Sequence, residues 1–222
     1  MSWTDRESIR TMCKLRDTFG IKEFIETGTY RGLNAETHAS NFQYIGTCEV
    51  NHEYFKIAQK RLKDYLNVFP IFMDSSRYLK YWQNTKDTLL FYLDAHFFVE
   101  GSKTNEERFV VLKELKSLEN RTNSIIAIHD FDNNEFGHIT YDGISLDLPL
   151  LKDSLLKVNP NFSFYTNTEC DIMKVSEAKD ADMLDNLRYA WSKPDKGKRG
   201  ILYCLPEEIN PNEFKLREIG NC

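Results

Sequence analysis

The chain has 222 residues, 41% hydrophobic and 28% charged, enough for one ordinary core and one domain over residues 1–222. A net charge of −5 argues against the basic field that phosphate-backbone binding requires, so nucleic acid is not an expected partner. Five cysteines without a C-x-x-C pair, no apolar run near the ~18 residues of a membrane span, and a polar Met-Ser-Trp-Thr-Asp-Arg start predict reduced thiols, no membrane span and a cytoplasmic location.

Thr4 followed by Glu7 has the pattern of a capping box, and Ile9, Met12, Cys13 and Leu15 follow helical spacing up to Gly20, which predicts an N-terminal helix within residues 1–20. Apolar runs at 21–25, 44–50, 68–73, 89–93 and 125–128 read as strands. Between them, Tyr54, Ala58, Leu62 and Tyr65 form an apolar stripe in 51–66, and Phe109, Leu112, Leu115 and Leu118 form another after Asn105. This alternation predicts right-handed crossovers and a mostly parallel sheet with helices on both faces. Pro70 would cost a central strand a ladder hydrogen bond, so the third strand belongs at an edge, where the doubly wound order 3-2-1-4-5 puts it. Beyond Asp147 the pattern predicts a helix (148–158), a strand (162–166), an exposed polar excursion (176–199) and a last strand (200–205). The basic cluster of Lys193, Lys196, Lys198 and Arg199, interrupted by Asp195, reads as a solvated loop.

The segment Phe24-Ile25-Glu26-Thr27-Gly28-Thr29-Tyr30-Arg31-Gly32 carries the most information. An apolar run ends in a carboxylate and then in two glycines, the pattern of a strand running into a loop around a nucleoside-like cofactor. Gly28 supplies backbone angles closed to other residues, and Gly32 is expected to let the next helix start tight against the sheet. A dinucleotide fingerprint would need glycine where Tyr30 stands, and Glu26 would repel a pyrophosphate while accepting hydrogen bonds from an amino acid's ammonium group. The loop therefore favours S-adenosylmethionine over NAD.

Ligands of open α/β sheets bind beyond the carboxyl ends of the strands. Here those ends are Glu26, Glu49, Asp74 with Ser75, then Asp94 with His96, and His129 with Asp130 and Asp132. Glu49 comes about 20 residues after Gly28, the offset at which an acid meets ribose hydroxyls; alternatively it favours the dipole of the helix after Asn51. Asp74 either accepts from an adenine amino group or starts a helix.

Together these features resemble the class I S-adenosylmethionine-dependent methyltransferases, from about Phe24 to Phe131 and with the strand pattern running on to Leu205. The resemblance implies a Rossmann-like seven-stranded sheet of order 3-2-1-4-5-7-6. It also implies a cofactor site that includes Glu26, Thr27, Gly28, Tyr30, Gly32, Glu49, Asp74, Ser75 and Asp94. The stretches Leu93-Asp94-Ala95-His96, Ile128-His129-Asp130-Phe131 and Tyr141-Asp142-Gly143 are similar to a bacterial subset found among glycan and natural-product genes.

Methyl transfer to a hydroxyl needs alignment and a destination for the proton. His96 or His129, oriented by Asp94 or Asp130, is the candidate base. A second scheme places Mg²⁺ on Asp94 and Asp130, with Asp132, Asn133 or His96 completing an oxygen-rich shell. The long loop from Asp132 to Gly143 is expected to cover the acceptor, with Tyr141 and Asp142 making polar contacts, and Phe97-Phe98-Val99-Glu100-Gly101 to form another wall. The expected function is methylation of a small-molecule or sugar hydroxyl, carbohydrate modification included, by a monomer or homo-oligomer. The alternatives are a non-catalytic cofactor-binding or scaffolding protein and an NAD-dependent oxidoreductase or epimerase.

Overall fold

The computed structural model describes residues 4–96, 101–192 and 197–220. Helix α1 (Arg6–Phe19) is capped by Asp5 rather than by Thr4: the Asp5 carboxylate accepts from the Glu7 N–H at 3.1 Å, and Gly20 ends the helix in the left-handed conformation. Strands β1 (Glu23–Thr27), β2 (Tyr44–Glu49), β3 (Val68–Phe72), β4 (Leu89–Leu93) and β5 (Ser124–His129) pair in parallel. Between them run α2 (Leu33–His38), α3 (His52–Leu62), α4 (Ser75–Leu79), α5 (Asn105–Arg108) and α6 (Val110–Ser117). The stripe after Asn105 is thus broken in two at Phe109, whose backbone is extended, although Phe109, Leu112, Leu115 and Leu118 are all buried as their spacing implies.

The remaining elements are a small hairpin, β6 (Thr140–Tyr141) with β7 (Ile144–Ser145), then α7 (Leu148–Val158), β8 (Ser163–Asn167), α8 (Ala181–Ser192), β9 (Ile201–Leu205), α9 (Pro211–Phe214) and β10 (Leu216–Ile219). The main sheet runs β10-β8-β9-β5-β4-β1-β2-β3. It is the expected α/β Rossmann-like fold, with β3 and its Pro70 at one edge. The expected count of seven strands in the sheet is corrected to eight among the described residues. The hairpin β6–β7 stands apart, β9 lies between β5 and β8 as a seventh strand beside a sixth, and β10 adds an antiparallel strand on β8. Leu-Arg-Glu-Ile escapes a search for apolar runs because two of its four side chains are charged, which suits a solvent-facing edge.

Alternation along the central strands divides the core. Leu89, Phe91 and Leu93 of β4 join one apolar cluster with α4, α6 and α7, whereas Leu90 and Tyr92 join a second with α1, α2 and α3. Residues 176–199 are not simply an exposed excursion. Within them α8 buries Met183 and Leu187 against Leu33, and Arg61 ties its start to the body through Asp180 at 2.8 Å, Asp182 at 3.1 Å and Glu36 at 2.7 Å. Among the described residues no helix is long and apolar enough to cross a membrane.

Candidate functional site

The order β3-β2-β1-β4-β5 sets five strand ends in a row, about 19 Å from first to last at the usual strand spacing. A cleft of about 960 Å³ opens along that row and is lined in turn by Asp74, Glu49, Glu26, Asp94, His96 and Asp130. Glu26 and Glu49 therefore face one shared cavity.

The loop after β1 is a chain of positive-φ residues. Gly28 has φ 77°, and a Cβ there would lie 2.6 Å from the Asp94 carbonyl oxygen, so only glycine lets the turn pack against the end of β4. The N–H groups of Gly28 and Thr29 both donate to the Cys48 carbonyl at 3.0 Å. Tyr30 is itself left-handed, at φ 50°, and is tied down by a hydrogen bond from its N–H to Glu49 Oε2 at 2.8 Å. Gly32 also has positive φ, but it packs α2 against Leu62 of α3 rather than against the sheet. Thr27 faces the adjacent strand end, where its Oγ1 accepts from the Asp94 N–H at 3.3 Å.

Glu26 is buried, and two side chains not foreseen from the sequence hold it: Asn34 Nδ2 donates to Oε1 at 2.7 Å and Thr47 Oγ1 to Oε2 at 2.6 Å. Burial pushes its carboxyl up to about 8, against the pull of those two hydrogen bonds. Glu49 sits between the cleft and the start of α3. It lines the cleft, and its Oε1 accepts from the N–H of Asn51, the residue that caps α3. Asp74 Oδ1 caps α4, accepting from the Arg77 N–H and the Ser76 hydroxyl, while the residue and its neighbour Ser75 still face the cleft.

At the β4 and β5 ends, Asp94, His96, His129 and Asp130 each place one ligand atom within 4.8 Å of all the others. His129 Nδ1 lies 3.0 Å from Asp94 Oδ1 and 3.2 Å from Asp130 Oδ1; His96 Nε2 lies 3.2 Å from Asp94 Oδ1 and 3.2 Å from Asp130 Oδ2. Burial by itself would raise both carboxyls, but His129 and His96 outweigh it and hold them below the usual carboxylate range. Burial would lower His96, yet Asp130 and Asp94 push it up to about 10. His96 is held between the two carboxylates expected to orient it, and in that pairing its ring is not an unprotonated base. His129 is not an acceptor-facing base either. It is 1% exposed, lies outside the cleft lining and orients Asp94 from behind.

Three other expectations are corrected by placement. Asp132 leaves the cluster: its Oδ1 accepts from the Asn134 N–H at 3.0 Å and its Oδ2 lies 3.2 Å from His138 Nε2, so the oxygen-rich set of Asp94, Asp130 and Asp132 for Mg²⁺ does not assemble. Asn133 turns instead toward Thr166 and Asn167 of β8. Tyr141 and Asp142 lie off the cleft lining. Asp142 and Gly143, both at positive φ, form the tight turn of β6–β7, Asp142 pairs with Arg108 at 3.0 Å, and Tyr141 packs on Phe109. Residues 97–100, expected as a second wall, and residues 193–196 of the basic cluster lie outside the described residues.

Arg199 is a cleft residue that sequence reading assigned to a solvated loop; its Nε donates to Asp130 Oδ1 at 2.5 Å. Nothing local signals this, because the two residues are 69 positions apart. Tyr189 of α8 also lines the cleft. Glu114 of α6 is fully buried, and burial pushes its carboxyl up to about 7 against the pull of Ser75 and Thr27.

No protein-family model and no curated protein sequence matches the chain. Solved structures do. A protein assigned as a caffeoyl-CoA O-methyltransferase from Staphylococcus aureus superposes with a TM-score of 0.51 at 14% identity, over 90% of this chain and 83% of that one. The plantazolicin methyltransferase BamL, solved with a triazolic desmethylPZN analogue and S-adenosylhomocysteine, gives 0.50 at 16% identity over 90% and 84%. A protein assigned as an rRNA methylase from Clostridium thermocellum gives 0.50 at 12% identity over 95% and 97%. With the sheet order and the row of strand-end acids, these likenesses show that the chain has the class I S-adenosylmethionine-dependent methyltransferase fold.

Proposed function

We propose that the protein transfers a methyl group from S-adenosylmethionine to a hydroxyl of a small-molecule or sugar-containing acceptor. The observation that carries this reading is the row of Asp74, Glu49, Glu26 and Asp94 along one cleft that ends at the Asp–His cluster. The volume of about 960 Å³ is at the upper end of ordinary ligand sites, room for a nucleoside cofactor and a second molecule. Glu49 offers its remaining lone pairs to the ribose hydroxyls, and Asp74 offers Oδ2 to the adenine amino group. Asn34 and Thr47 fix the Glu26 carboxyl at the cofactor loop. When bound, the cofactor supplies the methyl group, its carbon–sulfur bond breaking as the carbon–oxygen bond forms and the electron pair staying on sulfur. Asp94 and Asp130 face the cleft as hydrogen-bond acceptors that orient the hydroxyl, and one of these two carboxylates takes up its proton as the carbon–oxygen bond forms.

The acidic net charge and carboxylate-lined cleft support a neutral acceptor over nucleic acid. Calorimetric titration with S-adenosylhomocysteine tests the cofactor site, and release of S-adenosylhomocysteine across hydroxyl and amine acceptors tests the transfer. Folded protein that binds no S-adenosylhomocysteine would overturn the reading. Binding without turnover on any acceptor would leave a cofactor-binding protein.

A further inference from the structure

The Asp–His cluster has a geometry that hydrogen bonding alone explains poorly. Two imidazole nitrogens, from different strand ends, converge on the same two carboxylates at four distances between 3.0 and 3.2 Å. A ring nitrogen carries at most one proton, so each N–H would have to divide itself between two carboxylates, and Asp94 Oδ1 would have to serve both rings. A cation at the centre accounts for the convergence directly. Around a dication with bonds of about 2.0–2.2 Å, adjacent ligand atoms stand roughly 3.0–3.6 Å apart.

We propose that Asp94, His96, His129 and Asp130 form a mixed nitrogen–oxygen site for a first-row transition-metal dication such as Zn²⁺, Mn²⁺ or Fe²⁺. The donor set decides against Mg²⁺, which takes oxygen ligands and keeps several waters, whereas imidazole with carboxylate suits the borderline metals. The third carboxylate that an oxygen shell would need, Asp132, is engaged with His138 and Asn134. The surroundings are those of a site with one open side. His129 closes the back from a buried position, Arg199 fixes the Asp130 carboxylate, and Asp94, His96 and Asp130 face the cleft where an acceptor hydroxyl would reach the metal. The metal site goes beyond methyl transfer and does not depend on it.

The test uses the full chain, stripped with chelator, desalted and titrated with Co²⁺, Zn²⁺ and Mg²⁺ by calorimetry, with visible absorption followed for Co²⁺. The expected result is one Zn²⁺ per chain, bound at least about a hundredfold more tightly than Mg²⁺, and a Co²⁺ spectrum of d–d bands without thiolate charge transfer. The last point excludes all five cysteines as the ligands. Asp94→Asn and His96→Ala, each checked for native circular dichroism, should lower Zn²⁺ affinity by at least about tenfold. If folded protein takes up neither Zn²⁺ nor Co²⁺, if Mg²⁺ binds as tightly, or if both variants retain full affinity, the site is a hydrogen-bonded cluster and the inference is wrong. S-adenosylhomocysteine titrated into stripped protein separates the two proposals: binding without any metal site leaves the methyltransferase reading standing alone, and a metal site without cofactor binding does the reverse.

Discussion

The backbone N–H of Tyr30 donates to Glu49 Oε2 at 2.8 Å, so the carboxylate that ends β2 is also the residue that holds the glycine loop after β1 in its left-handed turn. The glycine loop and the Glu49 carboxylate are one mechanical unit. Replacing Glu49 removes a charged acceptor from the cleft and releases the loop together.

Glu49→Ala should therefore weaken S-adenosylhomocysteine binding by roughly ten- to a hundredfold, the worth of a charge-assisted hydrogen bond of about 1.5–3 kcal/mol. Titration calorimetry measures it. Glu49→Gln keeps one acceptor oxygen and should fall between the two. An unchanged affinity in Glu49→Ala would place the ribose elsewhere.

Gly28→Ala should destabilise the fold by about 1–3 kcal/mol, since it combines a positive φ with a Cβ 2.6 Å from the Asp94 carbonyl oxygen. Gly20→Ala, where φ is also positive but nothing lies within 4 Å, should cost only about 1 kcal/mol. Urea denaturation of the pair discriminates backbone strain from steric clash. Equal losses would refute the close packing of the loop on β4.

Glu26 sets a pH dependence of stability. Its folded carboxyl is raised to about 8 from an ordinary 4.5, so the folded state keeps a proton that the unfolded state has lost. The stabilisation is complete below about 4.5 and declines as pH rises toward 8; buried Glu114, raised to about 7, acts in the same direction. Glu26→Gln should flatten the slope of unfolding free energy between about pH 5 and 8. A slope identical to that of the parent would mean that Glu26 is ionised in the folded protein.

Arg61 bridges α3 to Glu36 of α2 and to Asp180 and Asp182 at the start of α8, with its side chain only 12% exposed. Arg61→Ala should cost about 1–2 kcal/mol globally, the carboxylates being partly solvated. Amide exchange should rise in α8 before it rises in the central strands. Unchanged protection of residues 181–192 would mean that Met183 and Leu187 alone hold the helix.

Local sequence specifies the features that repeat along the chain or lie within one turn of the backbone. The alternation of apolar runs and stripes sets the crossovers, Pro70 marks the edge strand because the missing N–H is intrinsic to the residue, and the spacing of Glu26, Gly28 and Glu49 along a strand–loop–strand unit brings them to one cleft. Which of the strand-end acids and histidines share a cluster is settled only by tertiary packing. Asp132 is two residues from Asp130 yet turns away, because Asp130 takes a left-handed backbone at φ 60° and swings the next residues aside. Arg199 and Thr47 reach Asp130 and Glu26 only when strands distant in sequence become neighbours or loops close over them, and β10 exists as a strand only because β8 presents an open edge. The physical reason is that side-chain direction depends on local backbone twist and on partners far along the chain, neither of which composition or period encodes.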